Sequence, residues 1–279
     1  MRAITGQLPG SDGGRAALLD AAERDLGITY IGGSTVVLTI DGVSFITDPT
    51  FDPAGDGYAS GTVRLQKTRG PALRPEQLGR LDVALISHDQ HPDNLDTSGR
   101  TLLQAIPYIL TTRAGAARLG QKATGPDPWQ DWSVRTPRGT TLSVTATPAR
   151  HGPVGIERIS GDVIGFVIRR VEDGVDLVYA TGDTVWYEGT REVAGRFRPR
   201  VVLAFAGDAR VCGPFYLTMD SNDVIEAAAA FPDALIVPVH HDGRRHFTES
   251  QDDLIRTFQR LGRETQLRKV TGRETLRIA

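Results

Sequence analysis

Apolar and polar stretches alternate along the chain in a way that predicts an α/β fold. Residues 28–31, 35–40 and 43–47 are β-branched and apolar, and the last two runs are split by Asp41-Gly42, the dipeptide that tight hairpins favour. The run 83–87 is short and continuously apolar, as a strand buried on both faces would be. Further strands are predicted at 108–111, 140–147, 163–170, 177–180, 201–206 and 235–239. Helix formers gather at 15–24, 97–105, 113–119 and 221–231, the last with Ser221 as its expected N-cap. A final helix is expected over 248–261, with a capping pattern from Thr248 to Gln251. Residues 48–75 are rich in Gly, Pro, Asp and Ser and read as one long loop. There is no repeat of fixed period, no low-complexity tract and no linker, so one α/β domain over 1–279 is expected, with 1–27 as a partly helical N-terminal extension.

Composition narrows the function. With 279 residues, 39% of them hydrophobic, the chain can bury a sizeable core, and its 31 glycines and 16 prolines fit a fold with many turns. Lys and Arg number 32 against 34 Asp and Glu, which leaves no electrostatic footprint for nucleic acid or an anionic membrane. The single cysteine, Cys212, excludes an intramolecular disulfide and a cysteine-rich zinc site, and is read as structural. No leader pattern and no long apolar run is visible. The expectation is a soluble cytoplasmic protein without membrane insertion.

Histidine is scarce, at six, and its placement is informative. His88 follows the strand at 83–87, His151 follows 140–147, and His240 follows 235–239; the strand at 177–180 leads to Asp183. Loops that open from strand ends are where α/β folds place ligands. If these ends share one edge, His88, His91, Asp93, His151, Asp183 and His240 converge. Imidazoles and carboxylates in that number suit one or two zinc-like divalent ions; imidazole also admits iron, and carboxylate manganese.

Five segments then carry a family likeness: ITYIGGSTVVLTIDGVSFITDPTF (28–51), LDVALISHDQHPDNLD (81–96), TPARHG (147–152), YATGDT (179–184) and MDSNDVIEAAAAFPDALIVPVHHDG (219–243). In content and order they resemble the metallo-β-lactamase superfamily of metal-dependent hydrolases. The closer likeness is to the branch of ascorbate-6-phosphate lactonase and the N-acyl-phosphatidylethanolamine phospholipase D-like proteins. The resemblance implies a four-layer αββα sandwich of two mixed sheets flanked by helices. It also implies hydrolysis by a metal-activated water of an ester, lactone, amide or phosphodiester bond in a small-molecule substrate.

The metal loop departs from the family pattern His-x-His-x-Asp-His. Here it reads His88-Asp89-Gln90-His91-Pro92-Asp93-Asn94, with one residue inserted between the histidines and Asn94 where the family has its last one. By the resemblance, His88, His91 and His151 form an intact first site. Asp93, Asp183 and His240 form a second site short of a nitrogen ligand, because an amide oxygen binds zinc poorly. Asp183 would bridge two ions; with one ion, Asp93 would serve as general base. His240 is preferred to His241 as the final ligand. Asn94, His241, Trp186 and His246 are candidate substrate contacts, with Tyr187 beside Trp186 as a pocket wall. Arg244 and Arg245 read as a solvated pair near the mouth. Asp48 is expected to shape a loop beside the metals, and segments 52–75 and 210–218 to shape the pocket. The competing reading is a catalytically degenerate protein that binds metal or ligand without turnover, motivated by Asn94. A nuclease is disfavoured for want of a basic stripe. Family likeness also allows a homo-oligomer.

Overall fold

The computed structural model describes residues 4–6, 26–60, 63–211 and 213–278. The helix expected at 15–24 and Cys212 lie outside them. The described chain builds two seven-stranded sheets. The first runs, in spatial order, β1 (Ile4–Gly6), β10 (Asp131–Arg135), β11 (Thr141–Pro148), β12 (Ile164–Arg170), β13 (Asp176–Ala180), β14 (Val201–Phe205) and β15 (Leu235–Val239). The second runs β16 (Thr275–Ile278), β2 (Leu26–Gly32), β3 (Thr35–Ile40), β4 (Val43–Thr47), β7 (Val83–Leu85), β8 (Tyr108–Leu110) and β9 (Ala123–Thr124). Both sheets mix parallel and antiparallel pairs.

Strand periodicity explains the layers. Successive side chains point to opposite faces, and here both faces are covered. Val43, Phe45, Val83 and Leu85 pack inward against Val178, Val201, Leu203 and Val237 of the facing sheet. From the same strands, Tyr179, Val202, Ala204 and Ile236 point outward beneath α4 (Glu188–Arg196), α5 (Ser221–Ala230) and α6 (Gln251–Arg260). Ile46, Ala84 and Ile86 point outward beneath α1 (Thr97–Leu103), which contributes Leu103. α2 (Arg113–Leu119) adds Leu119 to that layer, and a single turn, α3 (Glu157–Ser160), lies between β11 and β12. These layers form the expected αββα sandwich. Among the described residues no helix is long and apolar enough to cross a membrane.

Several local expectations are corrected. The stretch 48–75 is not one loop, because it contains a two-stranded ribbon, β5 (Gly55–Ser60) with β6 (Val63–Lys67). The ribbon is pinned at its end by a bridge from Lys67 to Arg244, a partner too distant in sequence for a local pattern to reveal. The N-cap of α5 is Asp220, which accepts from Asp223 N at 2.9 Å, rather than Ser221. The N-cap of α6 is Ser250, reciprocating with Asp253, while Thr248 instead donates to the Asp208 backbone carbonyl. The sequence reading also missed β10 and α4. The first is short, with only Trp132 and Val134 facing inward. The second carries two glycines and is started by Tyr187 N donating to Thr190 Oγ1.

Candidate metal centre

β11, β13, β14 and β15 point the same way in one sheet, and β4 and β7 run parallel in the other. The polar groups lie just past their C-terminal ends. Asp48, Asp208 and His240, each directly or a few residues beyond a strand, hold φ at 32°, 47° and 55°. Non-glycine residues enter this region rarely, and mostly where surrounding structure imposes it.

Three imidazoles meet at the centre. His88 Nε2 lies 2.8 Å from His91 Nδ1, and His151 Nε2 lies 3.2 Å from the same atom. One nitrogen from each of these three rings can be chosen so that all lie within 4.8 Å of one another. The opposite nitrogens are engaged: Ser87 Oγ lies 2.9 Å from His88 Nδ1, and His151 Nδ1 donates to the Leu217 carbonyl at 2.9 Å. Asp183 sits beside this trio, with Oδ2 at 3.6 Å from His151 Nε2 and 3.9 Å from His88 Nε2. Its Oδ1 lies 3.0 Å from His240 Nδ1. Asp93 Oδ2 lies 3.8 Å from His240 Nε2 and accepts from His246 Nε2 at 2.9 Å.

The electrostatics are those of a buried cluster. Burial, reinforced by the His91 charge, holds His88 well below the ordinary imidazole value; burial and His151 lower His91. Burial alone would raise the two carboxyls. Attraction to His240, then His151 and His88, holds Asp183 far below the usual range, and the His246 hydrogen bond and charge do the same for Asp93. Burial opposes charge on His240, but Asp183 and Asp93 outweigh it and raise that imidazole. Burial, then repulsion from Asp183, pushes Asp48 up; its carboxylate accepts the Ser87 N–H at 2.7 Å, so it shapes the turn that presents His88.

The residues fit a divalent cation. His91 Nδ1 alone cannot satisfy both His88 Nε2 and His151 Nε2, whereas a cation among the three would, and ligand atoms around a zinc-like ion stand about 3–3.5 Å apart. Asp93 Oδ1, Asn94 Oδ1 and His240 Nε2 are buried without a hydrogen-bond partner. Buried polar atoms without partners are costly and call for an explanation, an ion being one.

The remaining candidates separate. Asn94 is fully buried; its Nδ2 donates to Asp183 Oδ1 at 3.2 Å and Ser87 Oγ at 3.4 Å, so it braces the site. His241 stacks on Tyr30 and lies against Gln251, and Trp186 packs on Phe231 in the outer core; neither is brought to the imidazole group. His246 is brought in, its Nε2 on the Asp93 carboxylate. Arg244 and Arg245 are not a solvated pair: Arg244 is 6% exposed and donates to the Pro92 carbonyl, and only Arg245 is exposed. Tyr187 carries the Arg150 guanidinium 4.5 Å from its ring centre. A cavity of about 280 Å³ opens beside His151, lined by Thr112, Arg113, Arg150, Glu157 and Asp162 among others. Sequence reasoning missed Ser87 and the Leu217 carbonyl. Ser87 was legible as the residue before His88; a backbone carbonyl arriving from a distant loop leaves no signal.

A family model described as the beta-lactamase superfamily domain matches residues 44–241. The UPF0173 protein YddR of Bacillus subtilis is 26% identical over 82% of this chain and 91% of its own length. A UPF0173 metal-dependent hydrolase of Methanosphaerula palustris is 30% identical over 58% of this chain and 68% of its own. Among solved structures, an isothiocyanate hydrolase from Delia radicum gut bacteria matches with a TM-score of 0.75 at 23% identity, covering 91% of this chain and 99% of that one.

Proposed function

The chain belongs to the beta-lactamase superfamily, and from that premise we propose that it is a metal-dependent hydrolase opening an ester, lactone or phosphodiester bond of a small molecule. The observation that carries this reading is the trio His88, His91 and His151, whose ring nitrogens converge within 4.8 Å beside the Asp183 carboxylate. A divalent ion, zinc first and manganese or iron next, would lower the pKa of a water toward neutrality and polarise the scissile group.

The chain's own groups do the rest. Ser87 and the Leu217 carbonyl hold two of the three rings in place, which fixes the nitrogens they present. With one ion bound, Asp93, kept ionised, accepts a proton from water or orients it. Asn94 fixes the Asp183 carboxylate from behind. The substrate reaches the group through the cavity beside His151.

Elemental analysis tests this on protein purified without added metal. We expect at least about one divalent ion per chain, and about one fewer in His88→Ala and His151→Ala. Folded wild-type protein with under about 0.2 ion per chain, unchanged by added zinc or manganese, would sink the reading. A panel of esters, lactones and phosphodiesters then identifies the bond.

A further inference from the structure

Beyond the trio, a second set of buried groups gathers around Asp93, with some of its polar atoms unsatisfied. Asp93 and His240 are 6% and 0% exposed. The His246 side chain is 8% exposed. Asp93 Oδ1, His240 Nε2 and His246 Nδ1 make no hydrogen bond, while His240 Nδ1 lies 3.0 Å from Asp183 Oδ1. The Phe247 ring packs edge-on against both imidazoles, its centre 4.6 Å from each. Asn94, one residue after Asp93, turns its amide nitrogen to Asp183 and Ser87 instead.

We propose that His246 supplies the nitrogen ligand that position 94 lacks, so that Asp93, His240 and His246 hold a second divalent cation on the far side of Asp183 from the trio. The inference rests on the metal-dependent reading above but concerns a different set of residues. The separations support it: Asp93 Oδ2 is 2.9 Å from His246 Nε2 and 3.8 Å from His240 Nε2. Those values straddle the about 3–3.5 Å that separates ligand atoms around one zinc-like ion. Imidazole and carboxylate are also the donors such an ion prefers to an amide. The ligand is recruited from the loop before α6, so the second site is rebuilt from a different part of the chain.

Two substitutions decide between a ligand and a residue that merely steadies Asp93. His246→Gln keeps an N–H donor for the carboxylate but offers only an amide to a metal; His246→Ala removes both. Bound ion is counted by elemental analysis after removal of metal and reconstitution with zinc, and cobalt(II) titration followed in the visible range shows how many steps occur. Wild type should bind about two ions per chain, and both variants about one, with a single cobalt step. Two ions retained in His246→Gln would overturn the proposal, as would a wild type that binds one ion unchanged in either variant. A wild type that binds none fails the trio reading as well, which separates the two failures. Should His246→Ala not fold, His246→Gln decides alone.

Discussion

Ser87 shows how much one hydroxyl decides at this site. Its Oγ sits on His88 Nδ1, which leaves Nε2 to face the trio, and it also takes the amide of Asn94. Partners that orient a ligand typically change metal affinity by about 10–100-fold when removed. Ser87→Ala should weaken the ion by that factor in a competition against a coloured chelator, while His88→Ala abolishes binding. Asp93 carries a different burden. Its carboxylate is held ionised, so Asp93→Asn keeps the shape and loses the acceptor; kcat/KM should fall about 10²–10⁴-fold. KM should change little, since Asp93 contacts no substrate whether it takes the proton or holds the second ion. Equal kcat for variant and wild type would remove Asp93 from the chemistry. At this scale the histidines were legible because each of His88, His151 and His240 follows an apolar strand. The pairing of His246 with Asp93 was not, because two loops far apart in sequence make it.

At the scale of elements, α1 is fitted to the turn after β4 with no space between them. A Cβ at Gly99 would lie 1.9 Å from the Pro49 carbonyl oxygen, a backbone atom that cannot step aside. The contact is tight because Asp96, the N-cap of α1, gathers the N–H groups of Phe51, Asp52 and Gly99 and the Lys67 ammonium. Gly99→Ala should cost about 1–3 kcal/mol, the usual toll of overpacking, read from urea unfolding. α5 carries a pH dependence. Asp223 accepts the Trp186 N–H at 2.8 Å, yet burial pushes its carboxyl up to about 6, against 3.8 for the free group. The folded chain therefore keeps a proton that the unfolded chain releases between those values, and stability falls as pH rises through that window. Asp223→Asn keeps an oxygen for Trp186 and removes the titration. Its Tm should exceed that of wild type at pH 7 by more than at pH 4, and parallel Tm profiles would refute this. Strands buried on both faces were readable as continuous apolar runs. The ribbon of β5 and β6 and the helix α4 were not: a distant bridge at Lys67 pins the first, and the second carries helix-weakening glycines.

Across the whole molecule, the centre is assembled from both sheets. His88, His91 and Asp93 follow β7 in one; His151, Asp183 and His240 follow β11, β13 and β15 in the other. Hydrophobic periodicity alone reads as α/β and does not say which strands share a sheet, since that depends on pairing between distant segments; the order of the five motif segments is what pointed to two facing sheets. The division has a thermodynamic consequence. An ion held by His88, His91 and His151 bridges the two layers and binds only when they are packed together, so it stabilises the folded state by mass action. At free ion about 100-fold above its dissociation constant the gain is about 2.7 kcal/mol. For a chain of this size each kcal/mol moves Tm by about 2–4 °C. Removing the ion with a chelator should therefore lower Tm by about 5–11 °C, reversibly on re-addition of zinc. His151→Ala should shift less with chelator than wild type, because the ion of the trio then has imidazole from one layer only. Should the wild-type Tm ignore the chelator at saturating metal, the ion does not join the two sheets.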